Sequence, residues 1–130
     1  MIFLDDEWFE KHIEKGKSEF NKPNRSNLDL VEVYENCWGG SSTIWIYYEL
    51  KDGMLNKYEK GEGEDNIPDA QFRCFGEYKD YVRVCKGELD PNKGIISGTF
   101  TLEGNLLKAM GMLGTYGRLT EAKRIPGMEY

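Results

Sequence analysis

His12 is the only histidine of the chain, so a catalytic triad, a histidine-assisted nucleophile or a metal cluster would each depend on it. It stands between Lys11 and Ile13 in a helical pattern, and it reads as a core or surface histidine. The three cysteines, Cys37, Cys74 and Cys85, form no C-x-x-C and no Cys/His pair at ligand spacing, which leaves metal ligation without a frame. A catalytic cysteine would need an exposed, electropositive setting, whereas Cys37 lies close to Glu35 and beside Trp38. Glu62, Glu64 and Asp65 offer hard-cation or acid–base chemistry, but they fall in the loop GEGEDNIPD without calcium-loop spacing and read as a solvated charge run. The tail cations Arg118, Lys123 and Arg124 suit an acyl carboxylate, a phosphate or a lipid headgroup, or equally the dipole at a helix C-terminus. The expectation is a protein with no catalytic residue, no metal and no cofactor.

The elements that would have to position any chemistry are unusually apolar instead. Asp5 or Asp6 can cap a helix to about Lys15, with Trp8, Phe9, His12 and Ile13 as its stripe and Gly16 as its stop. Leu28, Val31, Tyr34 and Trp38 predict a second helix, with a strand as the rival because L-V-E-V-Y also alternates. T-I-W-I-Y-Y-E-L, residues 43–50, predicts a strand turning at Asp52-Gly53 into a second strand over 54–60, and Gln71 to Phe75 predicts a third. Tyr78, Tyr81, Val82 and Cys85 recur at helical spacing. An Asp-Pro turn over 88–94 then leads to a strand from near Ile95 to Gly104, with Ile96, Phe100 and Leu102 on one face. Asn105 can cap a final helix whose stripe is Leu106, Ala109, Met110 and Leu113, followed by a turn or two and a frayed tail.

Two features stand out in this pattern. The 43–50 strand is apolar on both faces, Ile44, Ile46, Tyr48 and Leu50 on one and Trp45 and Tyr47 on the other. One face can line a ligand chamber while the other meets a partner subunit or a segment of its own chain. Met110 and Met112 with Gly111, Gly114 and Gly117 make the last helix adaptable, as a flexible lid would require.

With 130 residues the chain is the size of one domain, residues 1–130. Its net charge of -6 sets it against nucleic acid and against steady binding to anionic membranes. An odd number of widely spaced cysteines and no long apolar run predict a reduced, soluble, cytoplasmic protein without stable membrane insertion.

The hairpin ending in K-D-G, the E-L-D-P turn, the strand S-G-T-F-T-L-E-G and the helix N-L-L-K-A-M together resemble the sterol carrier protein type 2 family over about Thr43 to Leu113. Trp8 and Trp38-Gly39 are similar to its compact, stand-alone prokaryotic branch. The resemblance implies an α+β fold, a five-stranded mixed, mainly antiparallel sheet with helices packed on one face and an apolar tunnel between the layers. It puts Phe72, Phe100, Leu102, Leu106, Met110 and Leu113 at the tunnel wall, and the apolar faces carrying Ile46, Tyr48 and Tyr81 complete the expected ligand-binding set. A closed cavity of about 300 to 1,000 Å³ is expected there. The implied function is binding and intracellular carriage of a hydrophobic small molecule: a fatty acid, an acyl thioester or a sterol-like lipid. The alternatives are a non-catalytic ligand-binding or dimerisation module assisting a separate enzyme, which leaves room for a homodimer, and a small enzyme using one of the polar groups above.

Overall fold

The computed structural model describes residues 1–130. The chain runs α1 (Asp6–Glu19), β1 (Leu28–Cys37), β2 (Ser42–Lys51), β3 (Met54–Glu62), β4 (Phe72–Glu77), α2 (Tyr78–Cys85), α3 (Pro91–Ser97), β5 (Thr101–Glu103), α4 (Leu106–Gly111) and α5 (Leu113–Glu121). The strands form one sheet in the order β3-β2-β1-β4-β5, antiparallel throughout except that β1 and β4 run parallel. The architecture is thus α+β, a mixed, mainly antiparallel sheet of five strands.

Local chemistry explains the element ends. Asp5 caps α1 by accepting from the Trp8 amide at 2.7 Å. Asp52 and Gly53 both take positive φ, as a two-residue hairpin turn between β2 and β3 demands. Gly16 does not stop α1. It is buried within the helix, where a Cβ would meet the Leu55 side chain at 3.3 Å, so it permits close approach of α1 to β3.

Residues 28–37 are a strand, not the helix predicted from Leu28, Val31, Tyr34 and Trp38. β1 is central and covered on both faces, so apolar residues occur at odd and even positions alike and mimic helical spacing. Residues 91–97 are helical, not extended: Asp90 caps α3 through the Asn92 amide with Pro91 in the first turn, so the Asp-Pro signal starts a helix. The strand predicted over 95–104 shrinks to Thr101–Glu103, and Ile96 is exposed.

The inner face of the sheet carries Leu30, Tyr34, Ile44, Ile46, Tyr48, Leu50, Phe72 and Cys74, and buried residues of α1, α2, α4 and α5 pack against it in one core. The outer face buries Val31, Val33 and Trp45, and the segment between β3 and β4 covers it with Ile67 and Ala70. The chain's own segment is thus a cover for Trp45, as one of the two expectations for this face had it. The tail does not fray: Glu129 bridges Ile2 and exchanges backbone hydrogen bonds with Met1 and Phe3. No helix is long and apolar enough to cross a membrane.

Candidate ligand-binding site

Between the inner sheet face and α5 lies an apolar slot lined by Phe20, Leu28, Leu30, Tyr48, Leu50, Met112, Thr115, Tyr116 and Leu119. The strand residues reach it because Leu28, Leu30, Tyr48 and Leu50 occupy one pleat face in register, Leu28 opposite Leu50 and Leu30 opposite Tyr48. Met112, at the joint before α5, and Tyr116 and Leu119 within it reach the slot at helical spacing. The slot is closed down to about 10 Å³, room for one water-sized sphere. The closed cavity of hundreds of cubic ångströms expected between sheet and C-terminal helix is therefore absent.

The slot leads outward into a vestibule of about 350 Å³. The two share Leu28, Leu50, Met112 and Thr115, and the vestibule adds Arg25, Ser26, Asn27, Gln71, Phe72, Lys108 and Gly111. Neither Arg25 nor Lys108 forms an ion pair, although other cations of the chain do. The arrangement joins an apolar slot to a mouth with two free cations, which chemically suits an apolar chain ending in an anionic or polar head.

Behind the slot, Tyr48 and Tyr116 belong to a buried polar network. Tyr116 donates to the Glu32 carboxylate at 2.7 Å, Tyr34 donates to it at 3.2 Å, and the Lys123 ammonium lies 2.7 Å from it. His12 Nδ1 faces the Ala122 carbonyl at 2.8 Å, an acceptor only, so Nδ1 carries the proton and donates. Nε2 therefore accepts from the Tyr48 hydroxyl at 2.7 Å. Burial pushes His12 down to about 3, against the hydrogen bond to Ala122 and with the help of the Lys123 charge, so the ring stays neutral. Burial likewise pushes the Cys37, Cys74 and Cys85 thiols up to about 11, so none is a ready nucleophile.

Of the residues expected at the tunnel wall, Tyr48 lines the slot and Phe72 the vestibule. Ile46, Tyr81 and Phe100 are buried in packing away from it, and Leu102 is half-buried on β5. Phe100 fills its surroundings: a Cβ on Gly76 or Gly94 would collide with its ring, and Tyr81 packs on it at 4.7 Å between centroids. The stripe Leu106, Met110 and Leu113 is not buried as predicted. Leu106 and Met110 are each 70% exposed and Leu113 is half-buried, while Ala109 and Met112 face inward. The helix breaks at Met112 (φ -100°, ψ 0°), and the phase of the apolar stripe changes there.

The sequence reasoning missed Phe20, Leu28, Leu30, Thr115, Tyr116 and Leu119, whereas Leu50 lies on the strand face read as able to line a chamber and Met112 in the helix read as adaptable. The alternation of Leu28 and Leu30, read as strand, and the spacing of Met112, Tyr116 and Leu119 carried the signal. The tail cations form no cluster: Lys123 is buried on Glu32, Arg124 donates to the Val84 carbonyl, and Arg118 donates to the Glu19 carbonyl and stacks over Phe20. Glu62, Glu64 and Asp65 lie at the end of β3 and in the turn after it, apart from any of these groups.

No protein-family model matches the chain. No curated protein matches it by sequence. Solved structures do match. The crystal structure of sterol carrier protein 2 superposes with a TM-score of 0.74 at 16% identity, over 92% of this chain and 95% of that one. A conserved hypothetical protein of Thermus thermophilus gives 0.69 at 15% identity, over 95% of this chain and 88% of its own. The palmitated sterol carrier protein 2-like 2 of Aedes aegypti gives 0.55 at 14%, over 82% of this chain and 91% of its own. Five strands in the same arrangement with helices against them, over nearly the whole length, give this chain the sterol carrier protein 2 fold.

Proposed function

We propose that this protein binds an elongated apolar molecule with an anionic or polar head, a fatty acid or acyl thioester being the best fit, and carries it without chemical change. The observation that carries the reading is the continuity of the apolar slot under α5 with a vestibule holding the unpaired Arg25 and Lys108. The chain fills the slot and the head stays at the mouth, where charge-assisted contacts are available without burying an ion. Opening falls to the α4–α5 segment. It is jointed at Met112, and open space surrounds Gly111, Gly114 and Gly117, so α5 can shift without a clash at these positions. The palmitate carried by the Aedes aegypti protein of this fold supports an acyl ligand. Sterol-like lipids fit less well, because a rigid ring system requires a wider opening than a flexible chain.

Organic extraction of the purified protein, followed by mass spectrometry, tests this directly. Fatty acids or acyl thioesters in near-stoichiometric amount are expected. A protein that extracts clean and fails to bind a fluorescent fatty acid when challenged would refute the reading.

A further inference from the structure

The sheet ends in two unequal edges. β5 is three residues long, whereas β3 runs nine residues along the other edge, with Asn56, Lys57, Tyr58 and Glu59 all exposed. Gly63 donates to the Thr43 carbonyl at 2.9 Å, which fixes the phase of the β2–β3 ladder. Gly61, Glu59 and Lys57 therefore turn their backbone groups toward β2, and Lys60 and Tyr58 turn theirs away from it. Outside the ladder no backbone hydrogen bond reaches Tyr58 or Lys60. A hollow lies against Tyr58 on each face of the sheet. One of about 260 Å³ is shared with Phe9, Ile13 and Lys17 of α1, and one of about 330 Å³ with Tyr47, Lys57 and Glu59. We propose that β3 pairs antiparallel with β3 of a second copy of this chain, about a two-fold axis through Tyr58, joining the two five-stranded sheets edge to edge.

Charge selects both the occupant and the register. The outward backbone groups of two such strands meet only when the axis passes through a residue rather than between two. An axis through Lys57 or Glu59 would set that residue against its own copy, a like-charge contact. An axis through Asn56 or Lys60 would leave both Lys57 and Glu59 opposite uncharged residues. On Tyr58 it sets Lys57 of each strand directly opposite Glu59 of the other, while Tyr58 exchanges both backbone hydrogen bonds with its counterpart. Both charges are available for this. Glu59 forms no ion pair within the chain, and Lys57 has only a 3.9 Å contact with Glu49. Edge strands commonly resist pairing through proline or a free lysine. β3 holds no proline, and Lys60 is drawn back onto its own chain, 2.6 Å from Asp6 and donating to the Leu4 carbonyl at 2.9 Å. The regular edge ends at Asn56, left unpaired between Lys57 and Leu55, so the contact falls short of the ~800 Å² per partner of a standard interface and the dimer is a reversible one. No residue of β3 lines the slot or the vestibule, so the pairing covers neither.

Sedimentation of the full chain over a wide concentration range, before and after charge reversal, tests the proposal. The parent should pass reversibly from monomer to dimer as its concentration rises, and less readily in high salt. Lys57→Glu and Glu59→Lys each turn both ion pairs into like-charge contacts and should weaken the dimer by about tenfold or more. The double variant, which swaps the two charges, should dimerise like the parent. An equimolar mixture of the two single variants should form the mixed dimer, in which every charge again faces its opposite. The mixture guards against a variant that merely misfolds, because only two folded chains can restore the pairing. A parent that stays monomeric at millimolar concentration overturns the proposal, as does a dimer that the single reversals leave intact. Reversals that neither the double variant nor the mixture rescues overturn it as well.

Discussion

The ammonium of Lys123 lies 2.7 Å from the carboxylate of Glu32, and solvent reaches almost none of either side chain. Glu32 is at the middle of the inner sheet face, opposite Ile46 on one side and Cys74 on the other, while Lys123 follows the last turn of α5. This pair, with Tyr34 and Tyr116 on the same carboxylate, ties the C-terminal segment to the centre of the sheet.

Breaking that pair from one side leaves a buried charge alone. Glu32→Gln or Lys123→Met should each cost about 3 to 5 kcal/mol. The double variant should cost clearly less than the two singly added, since it removes both charges at once. Urea denaturation of the four proteins measures this. Strict additivity would show that the two side chains do not act as a pair.

His12 sets a pH dependence. Its pKa falls from 6.5 to about 3 on folding, so between these values the unfolded chain binds more protons than the folded one. The stabilisation is intact above 6.5 and is lost progressively as pH falls towards 3. Between about pH 7.5 and about pH 5 this should remove roughly 2 kcal/mol. His12→Gln, which cannot titrate, should be less stable at neutral pH and have a flatter pH profile. The imidazole nitrogens of the folded parent, followed by NMR, should show the Nδ1–H tautomer without titrating over the same range.

Met110 and Met112 should behave oppositely although close neighbours in sequence. Met110 is exposed on α4, so Met110→Ala should change stability by no more than about 0.5 kcal/mol. Met112 is buried at the wall of the slot, and Met112→Ala should cost about 2 to 5 kcal/mol, toward the lower end if the slot already yields there. Denaturation midpoints compare them. Equal losses would place the apolar stripe of α4 in the core after all.

Much of the fold was legible because its signals are local. The β2–β3 hairpin follows from one apolar alternation and one Asp-Gly, and the starts of α1 and α4 from Asp5 and Asn105 as caps. β1 was harder, because cover on both faces erased its alternation. Its one buried acid, Glu32, reads as a solvent-facing residue until Lys123 is seen from 91 residues away. The slot was half legible for a related reason. Leu106, Met110 and Leu113 share the spacing of Met112, Tyr116 and Leu119, and only the backbone break at Met112 decides which set turns inward.

Thr115 stands where slot and vestibule meet and is half-buried. Thr115→Trp should plug the mouth and weaken fatty-acid binding by at least about tenfold, while stability changes by no more than about 1 kcal/mol. Fluorescence titration with a displaceable acyl probe reads the first and thermal melting the second. Unaltered affinity would put the ligand's route elsewhere.

The parallel pairing of β1 with β4 has a consequence for the chain as it leaves the ribosome. β3, β2 and β1 form an antiparallel meander that is complete once residue 62 has emerged, since each pairs with its neighbour in sequence. The other edge of β1 has no partner until Phe72–Glu77 follow, with Leu30 waiting for Phe72 and Glu35 for Glu77. During that interval a strand destined for the middle of the sheet is an open edge flanked by Val31, Val33 and Trp45, and so a template for pairing with another nascent chain. The end of β3 and the loop after it, with Glu62, Glu64, Asp65 and Asp69 emerging just ahead of β4, supply like-charge repulsion between chains over the same interval. Neutralising those acids should leave the mature protein nearly as stable and raise the fraction lost to inclusion bodies.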